Sequence, residues 1–230
     1  MIAYTLYNTP SAAIKVVNFP ISIRKLCKVT CSAIAVASFY RYNEAIRRKG
    51  GIFTKTIAIA AVTAGGKTTL VNALQKRLPG ACSLHFDDYT FEGEVEDFHQ
   101  WVLDGANYNV WNLAPLEEDI LRLRESGSCE LLLLDYPFAY LNNRIAPLID
   151  RAVFLDTPLD VAMARRVLRD MKDTSAEEIR QDMELYLSHA RIAYIQMLKD
   201  VLPSSDDVID GLLPMEDKVA AMLKIINTLT

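Results

Sequence analysis

Cysteine and histidine are few and scattered in this chain, and their absence from any cluster removes several chemistries at once. The four cysteines (Cys27, Cys31, Cys82, Cys129) have neither zinc-ligand nor redox-motif spacing. Cys82 and Cys129 fall in or beside apolar, strand-like segments, as buried thiols of a reducing compartment do. The three histidines (His85, His99, His189) lie far apart, and nothing in their placement points to metal ligation. Long hydrophobic runs are missing too. The apolar stretch Ser32–Tyr40 falls well short of the about 18 residues that a membrane-crossing helix needs. No internal repeat or low-complexity linker interrupts residues 52–230.

Acidic residues are nearly absent from the first fifty positions. Eight Lys/Arg stand there against Glu44 alone, a local charge of +7, and the net −4 of the whole chain leaves −11 for the remainder. An acidic body argues against nucleic acid as a partner. The same fifty residues hold seven Ser/Thr and show no clear helical or strand period. They read either as a mitochondrial-type targeting segment or as a disordered or mispredicted extension. The Arg47-Arg48-Lys49 cluster reads as a solvated helix end before Gly50-Gly51. With 51% hydrophobic and 23% charged residues among 230, the chain can build one globular domain with a sizeable core, assigned to residues 52–230.

Within that domain, residues 57–70 read IAIAAVTAGGKTTL. An apolar, strand-forming run leads into a turn of small residues, and Gly65-Gly66-Lys67-Thr68-Thr69 then opens a helical pattern. Strand, glycine-containing loop and helix, in that order, are the context a phosphate-binding loop requires. Backbone N–H groups of Thr63, Ala64, Gly65 and Gly66 can curl around phosphate oxygens only where side chains are small, and the helix N-terminus adds partial positive charge. Thr69 continues the same turn. In this reading Lys67 bridges the β- and γ-phosphates of ATP and the Thr68 hydroxyl ligates Mg²⁺. The pattern G-x-x-x-x-G-K-[ST] departs at its first glycine, which is Ala61 here. Alanine can stand there if its φ is negative. A chance glycine turn is the competing reading, and the strand before and the apolar helix after argue against it.

Strands alternate with helical stretches beyond the loop, the pattern of a parallel sheet covered on both faces. Strands are expected near 56–61, 82–86, 130–135, 152–155 and 208–209. Helices are expected at 68–78, 115–125, 158–171, 175–199 (as one long helix) and 214–229. The predicted fold class is therefore α/β: a P-loop NTPase with a doubly wound, five-stranded parallel sheet, helices on both faces and a small lid. Ligands of such sheets sit at the carboxyl ends of the strands.

Acids stand at two of those ends. Asp135 closes LLLLD, where it reads as a turn or cap residue or, in a P-loop protein, as support for Mg²⁺. Asp87-Asp88 close the second strand in HFDDYTF, as a solvated turn or as a base facing an attacking hydroxyl. Two adjacent carboxylates repel, so one is expected to be hydrogen-bonded and the other free. Arg165, Arg166 and Arg169 share one helical stretch. They read as a solvated face paired with Asp170 and Asp173, or as a lid whose planar guanidinium groups suit a transferring phosphoryl group. Residues 89–113 insert six aromatics among many acids. Trp101 and Phe98 are expected to pack inward in a small flap, and Tyr108 and Trp111 to meet the ligand.

VTAGGKTTL, LQKRLPG and HFDDYTF, in that order and spacing, resemble the uridine kinase-like family, nicotinamide riboside kinases included. DRAVFLDTPLDVAMARRVLRD and SSDDVIDG are similar to that family's fourth strand with its arginine-rich lid and to its last strand, so the likeness spans about residues 56–212. The resemblance implies a kinase acting on a small-molecule substrate, with Asp87 as the base for the substrate hydroxyl, Asp88 beside it on the acceptor, and ATP and Mg²⁺ as cofactors. Departures are visible. Asp135-Tyr136 replaces the family's glutamate-glycine, GANYNVWNLAPL replaces its aspartate-histidine-proline run, and RDMKDTSAEE lacks a second basic cluster. Two rivals follow. A switch GTPase would need an N-K-x-D stretch, and SSDD at 204–207 does not supply one. A monophosphate or coenzyme-precursor kinase would need cations near residues 89–125, where only Arg122 and Arg124 stand, both read as helix surface. The expected location is cytoplasmic, or mitochondrial if residues 1–50 are a targeting segment. The sequence says nothing of oligomeric state.

Overall fold

Five strands alternate with crossover helices in the computed structural model, which describes residues 54–229. The basic extension at residues 1–50, and with it the targeting reading, lies outside the described residues. In chain order the elements are β1 (Lys55–Ala60), α1 (Lys67–Arg77), β2 (Ala81–His85), α2 (Phe98–Leu103), α3 (Ala114–Ser126), β3 (Leu131–Asp135), β4 (Arg151–Asp156), α4 (Leu159–Asp170), α5 (Ala176–Leu185), α6 (Arg191–Ser204), β5 (Asp207–Asp210) and α7 (Met215–Asn227). The sheet order is β2-β3-β1-β4-β5 and every pairing is parallel.

Period-two alternation divides the core between the two faces of this sheet. Ala58, Ala60, Leu132, Leu134, Ala152 and Phe154 join one buried cluster with Leu116, Ile120 and Val201 of α3 and α6. Ile57, Ile59, Leu133, Val153 and Leu155 join the other, with Leu70, Leu74, Val219 and Met222 of α1 and α7. The uninterrupted apolar strands β1 and β3 follow from that two-sided burial, worth about 1.5–3 kcal/mol for each fully buried large side chain.

Helix ends follow local chemistry. Gly127 closes α3 in the left-handed region at φ 59°. Ser175 and Glu178 form a reciprocal capping box at the start of α5. The single helix expected over 175–199 is divided by a π turn at Tyr186–Ala190, where Tyr186 turns into the interior against Tyr194. Arg124 corrects another expectation. It is buried rather than on the surface, donating to Thr56 Oγ1 at 2.9 Å and Asp150 Oδ2 at 3.1 Å, and so ties α3 to the start of β1. Among the described residues no helix is long and apolar enough to cross a membrane.

Candidate functional site

The carboxyl ends of the strands open into one cavity of about 620 Å³. Its floor is the loop after β1. Gly65 N–H donates to Val62 O at 2.9 Å, a tight turn that leaves no room above Gly65. A Cβ there would stand 2.7 Å from Ala61 Cβ and 2.8 Å from Val62 O, so only glycine fits without a shift. Gly66 needs glycine for a different reason: its φ is +101°. Ala61 is fully buried and is not among the residues with positive φ, which is why alanine is tolerated in place of the loop's usual first glycine. The loop is anchored from just past β4, where Thr157 Oγ1 donates to Gly65 O at 2.9 Å.

The first turn of α1 contains no acid, and no side chain caps its N-terminus. Its orphan N–H groups and positive dipole end are therefore available to an anion. Lys67 begins this helix and makes no hydrogen bond or ion pair among the described residues. Desolvation holds its ammonium below the ordinary value near 10.5; Asp135 and Asp87 oppose that shift, and Arg169 adds to it. A partly dehydrated, unpaired ammonium over a cradle of N–H groups suits a polyphosphate.

Asp135 and Thr68 are joined, with Thr68 Oγ1 donating to Asp135 Oδ2 at 2.5 Å. Asp135 is buried, and His85 Nδ1 lies 3.2 Å from the same oxygen. A hydroxyl and a carboxylate are the hard oxygen donors that Mg²⁺ takes, and that ion commonly uses one or two carboxylates plus phosphate and water. The residues present fit both the nucleotide and the ion.

The sheet order divides the cavity. The ends of β2 and β3 lie on one side of the loop and those of β4 and β5 on the other. On the first side Asp87 lines the cavity with Phe86, Pro137, Phe138, Phe98, Trp111 and Met197. On the second side stand Arg165, Met215 and Lys218. Lys218 is buried and donates to Gly211 O at 3.3 Å. Burial lowers its ammonium below the ordinary lysine value, and Arg165 pushes in the same direction.

Of the sequence candidates, Thr63, Ala64, Gly66, Lys67, Thr68, Thr69, Asp87, Trp111, Arg165 and Arg169 line this cavity together, and Gly65 and Asp135 lie just beneath. Three do not reach it. Tyr108 is buried in the aromatic core, with its hydroxyl donating to Asp200 Oδ2 at 3.4 Å. Arg166 is held by Asp182 of α5. Asp88 is exposed outside the lining. The expectation that one of the two adjacent acids is hydrogen-bonded also fails, because neither carboxylate has a hydrogen-bond partner among the described residues. The two acids sit in a 3-10 turn at Phe86–Asp88, from which only Asp87 reaches the cavity. Phe98 is reversed too: 45% exposed, it lines the cavity instead of packing away inside. Trp101 is buried as expected.

Thr157, His85, Phe86, Phe138, Met197 and Lys218 were missed. For four of them the one sequence signal is position: His85, Phe86, Phe138 and Thr157 each lie within a few residues of a strand's carboxyl end. Met197 and Lys218 carry no signal at all, since each reads as an ordinary residue of an amphipathic helix.

No protein-family model matches the chain. It is 25% identical over 177 residues to the uridine kinase of Borrelia hermsii, covering 67% of this chain and 85% of that one. It is 29% identical over 132 residues to nicotinamide riboside kinase 2 of Homo sapiens, covering 50% of this chain and 57% of that one. Among solved structures, a “putative fructose transport system kinase” from Silicibacter sp. TM1040 superposes with a TM-score of 0.51 at 13% identity, over 68% of this chain and 90% of that one, which speaks for the fold alone. In sequence the chain is similar to uridine kinases and nicotinamide riboside kinases, and its fold is the doubly wound, five-stranded parallel α/β fold of P-loop NTPases.

Proposed function

We propose that the protein transfers the γ-phosphoryl group of ATP to a hydroxyl of a neutral, nucleoside-like small molecule, within a kinase domain that starts near residue 52. The observation that carries this reading is the shared cavity. Asp87 stands at an aromatic wall in the same space that Lys67 and the phosphate loop enter. Lys67 and the loop amides hold the phosphates, and Thr68 with Asp135 supports Mg²⁺, which when bound neutralises phosphate charge. Asp87 accepts the hydroxyl proton. Arg169 lines the same cavity while its guanidinium is paired with its neighbour Asp170, Nε to Oδ1 at 2.5 Å, and the charge of Asp87 acts on it more weakly. Phe98, Trp111 and Phe138 offer faces on which a planar base can stack.

The cations lining the cavity are Lys67, Arg165, Arg169 and Lys218, and none lies on β2, β3 or the 89–113 insert. Arg122 pairs with Asp119, and Arg124 is committed to Thr56 and Asp150. Among the described residues that line the cavity, an acceptor that already bears a phosphate would find no counter-charge on that side, which disfavours the monophosphate-kinase rival.

The test is ADP release by the purified full-length chain with ATP and Mg²⁺, alone and with uridine, cytidine, nicotinamide riboside or a nucleoside monophosphate. Stimulation by an unphosphorylated nucleoside is expected. Asp87→Asn should lower that stimulated rate about 10²–10⁴-fold, the usual worth of a positioned base, while ATP binding persists. Asp88→Asn should cost far less. ADP release that no acceptor stimulates would identify a hydrolytic switch instead.

A further inference from the structure

A line of polar side chains runs behind Asp135, from β3 through β2 to α1. His85 Nδ1 lies 3.2 Å from Asp135 Oδ2. Ser83 Oγ lies 3.2 Å from His85 Nε2. Gln75 Nε2 donates to Ser83 Oγ at 2.7 Å. The placement follows from strand geometry: His85 is in register with Asp135, and Ser83, two residues earlier, points to the same side of β2.

The proton positions follow from the carboxylate end. A carboxylate only accepts, so His85 Nδ1 must carry the hydrogen it shares with Asp135, whatever the charge of the ring. In the neutral ring Nε2 then accepts from the Ser83 hydroxyl, whose oxygen accepts from the Gln75 amide. Thr68 Oγ1 donates to the same Oδ2. Two donors thus converge on one oxygen, and Oδ1 is left with no hydrogen-bond partner among the described residues. The bond is not needed to hold β2 to β3, because five consecutive residue pairs already do so through the backbone.

We infer that His85 is a positioning residue: with Ser83 and Gln75 behind it, it fixes the Asp135 carboxylate by Oδ2 and so presents Oδ1 to the hydration shell of the divalent cation. This rests on the reading of Asp135 as cation support. Outer partners that orient a ligating or supporting group are commonly worth about 10–100-fold in metal affinity or activity.

The experiment compares full-length parent, Asp135→Asn, His85→Leu, His85→Asn and Ser83→Ala. For each, ADP affinity is measured by titration calorimetry with and without Mg²⁺, and the thermal midpoint is recorded. In the parent and in folded variants, ADP affinity without Mg²⁺ should be similar. Asp135→Asn should remove most of the gain in affinity that Mg²⁺ gives. His85→Leu should reduce that gain about 10-fold, whereas His85→Asn, whose amide nitrogen can replace Nδ1, should stay within about 3-fold of the parent. Ser83→Ala should fall between them, and it decides the matter if His85→Leu does not fold. A parent-like Mg²⁺ gain in folded His85→Leu, or in Ser83→Ala when that variant must decide, overturns the inference. An equal loss in the Leu and Asn variants also overturns it, since the donor would then be irrelevant. If Asp135→Asn itself keeps the full gain, the assignment of Asp135 to the cation fails first, and the two failures are told apart.

Discussion

Replacing Gly65 by alanine tests the phosphate loop at its tightest point. The backbone there is not left-handed, so alanine is conformationally allowed and the cost is steric. The new methyl would meet Ala61 Cβ at 2.7 Å and Val62 O at 2.8 Å, both backbone or near-backbone atoms that cannot swing aside. Overpacking of that kind costs about 1–3 kcal/mol. Ala61→Gly on its own removes a fully buried methyl and adds backbone freedom, for about 0.5–1 kcal/mol. The two changes share one contact and therefore should not add. In the double variant the 2.7 Å clash is gone and the 2.8 Å contact with Val62 O remains. It should be more stable than the sum of the singles by about 1 kcal/mol, yet less stable than the parent. Urea unfolding of the four proteins reads this directly, at about 2–4 °C of thermal midpoint per kcal/mol as a cross-check. The KM for ATP should rise in Gly65→Ala and partly recover in the double variant. Additivity within about 0.5 kcal/mol would refute the contact between positions 61 and 65.

Lys67→Met should abolish acceptor-stimulated ADP release while raising the stability of the nucleotide-free protein near neutral pH. The sign follows from linkage. A lysine whose folded value is depressed costs stability while pH lies below that value, and the cost fades as pH rises through it toward 10.5. The stability difference between Lys67→Met and the parent should therefore shrink as pH rises toward 10.5, read by urea midpoints; a difference that grows would contradict the desolvated ammonium. Deleting residues 1–50 should leave ADP release unchanged, because every residue assigned to the site lies beyond Ala60. A soluble but inactive truncation would move the domain boundary.

The sequence alone determined the sheet and the floor of the site. Ile57–Ala60 and Leu131–Leu134 are apolar without alternation, and only strands covered on both faces bury every residue of such a run. Gly65-Gly66-Lys67-Thr68 lies contiguous in the chain, so its geometry is local and its pattern legible. Asp87 and Asp135 were legible for a related reason: a parallel sheet delivers the ends of its strands to one edge. The tertiary structure decided what distant segments share. Tyr108 and Trp111 look alike in sequence, three residues apart on an irregular insert, and both pack against Phe138 and Trp101 in the core, yet the Tyr108 hydroxyl is taken up by Asp200 and only Trp111 borders the cavity. Arg165 and Arg166 are neighbours on one helix, and the position of Asp182 on α5 claims only the second. Arg124 reads as helix surface until the start of β1 and Asp150 are brought against it. His85 acquires a role only through the β2–β3 register that sets it beside Asp135, and Thr157, just past β4, only through its bond to Gly65 of the loop after β1. Local periodicity encodes which face of an element is buried; which side chain meets which across tens of residues depends on how the elements dock, and no short window of sequence contains that.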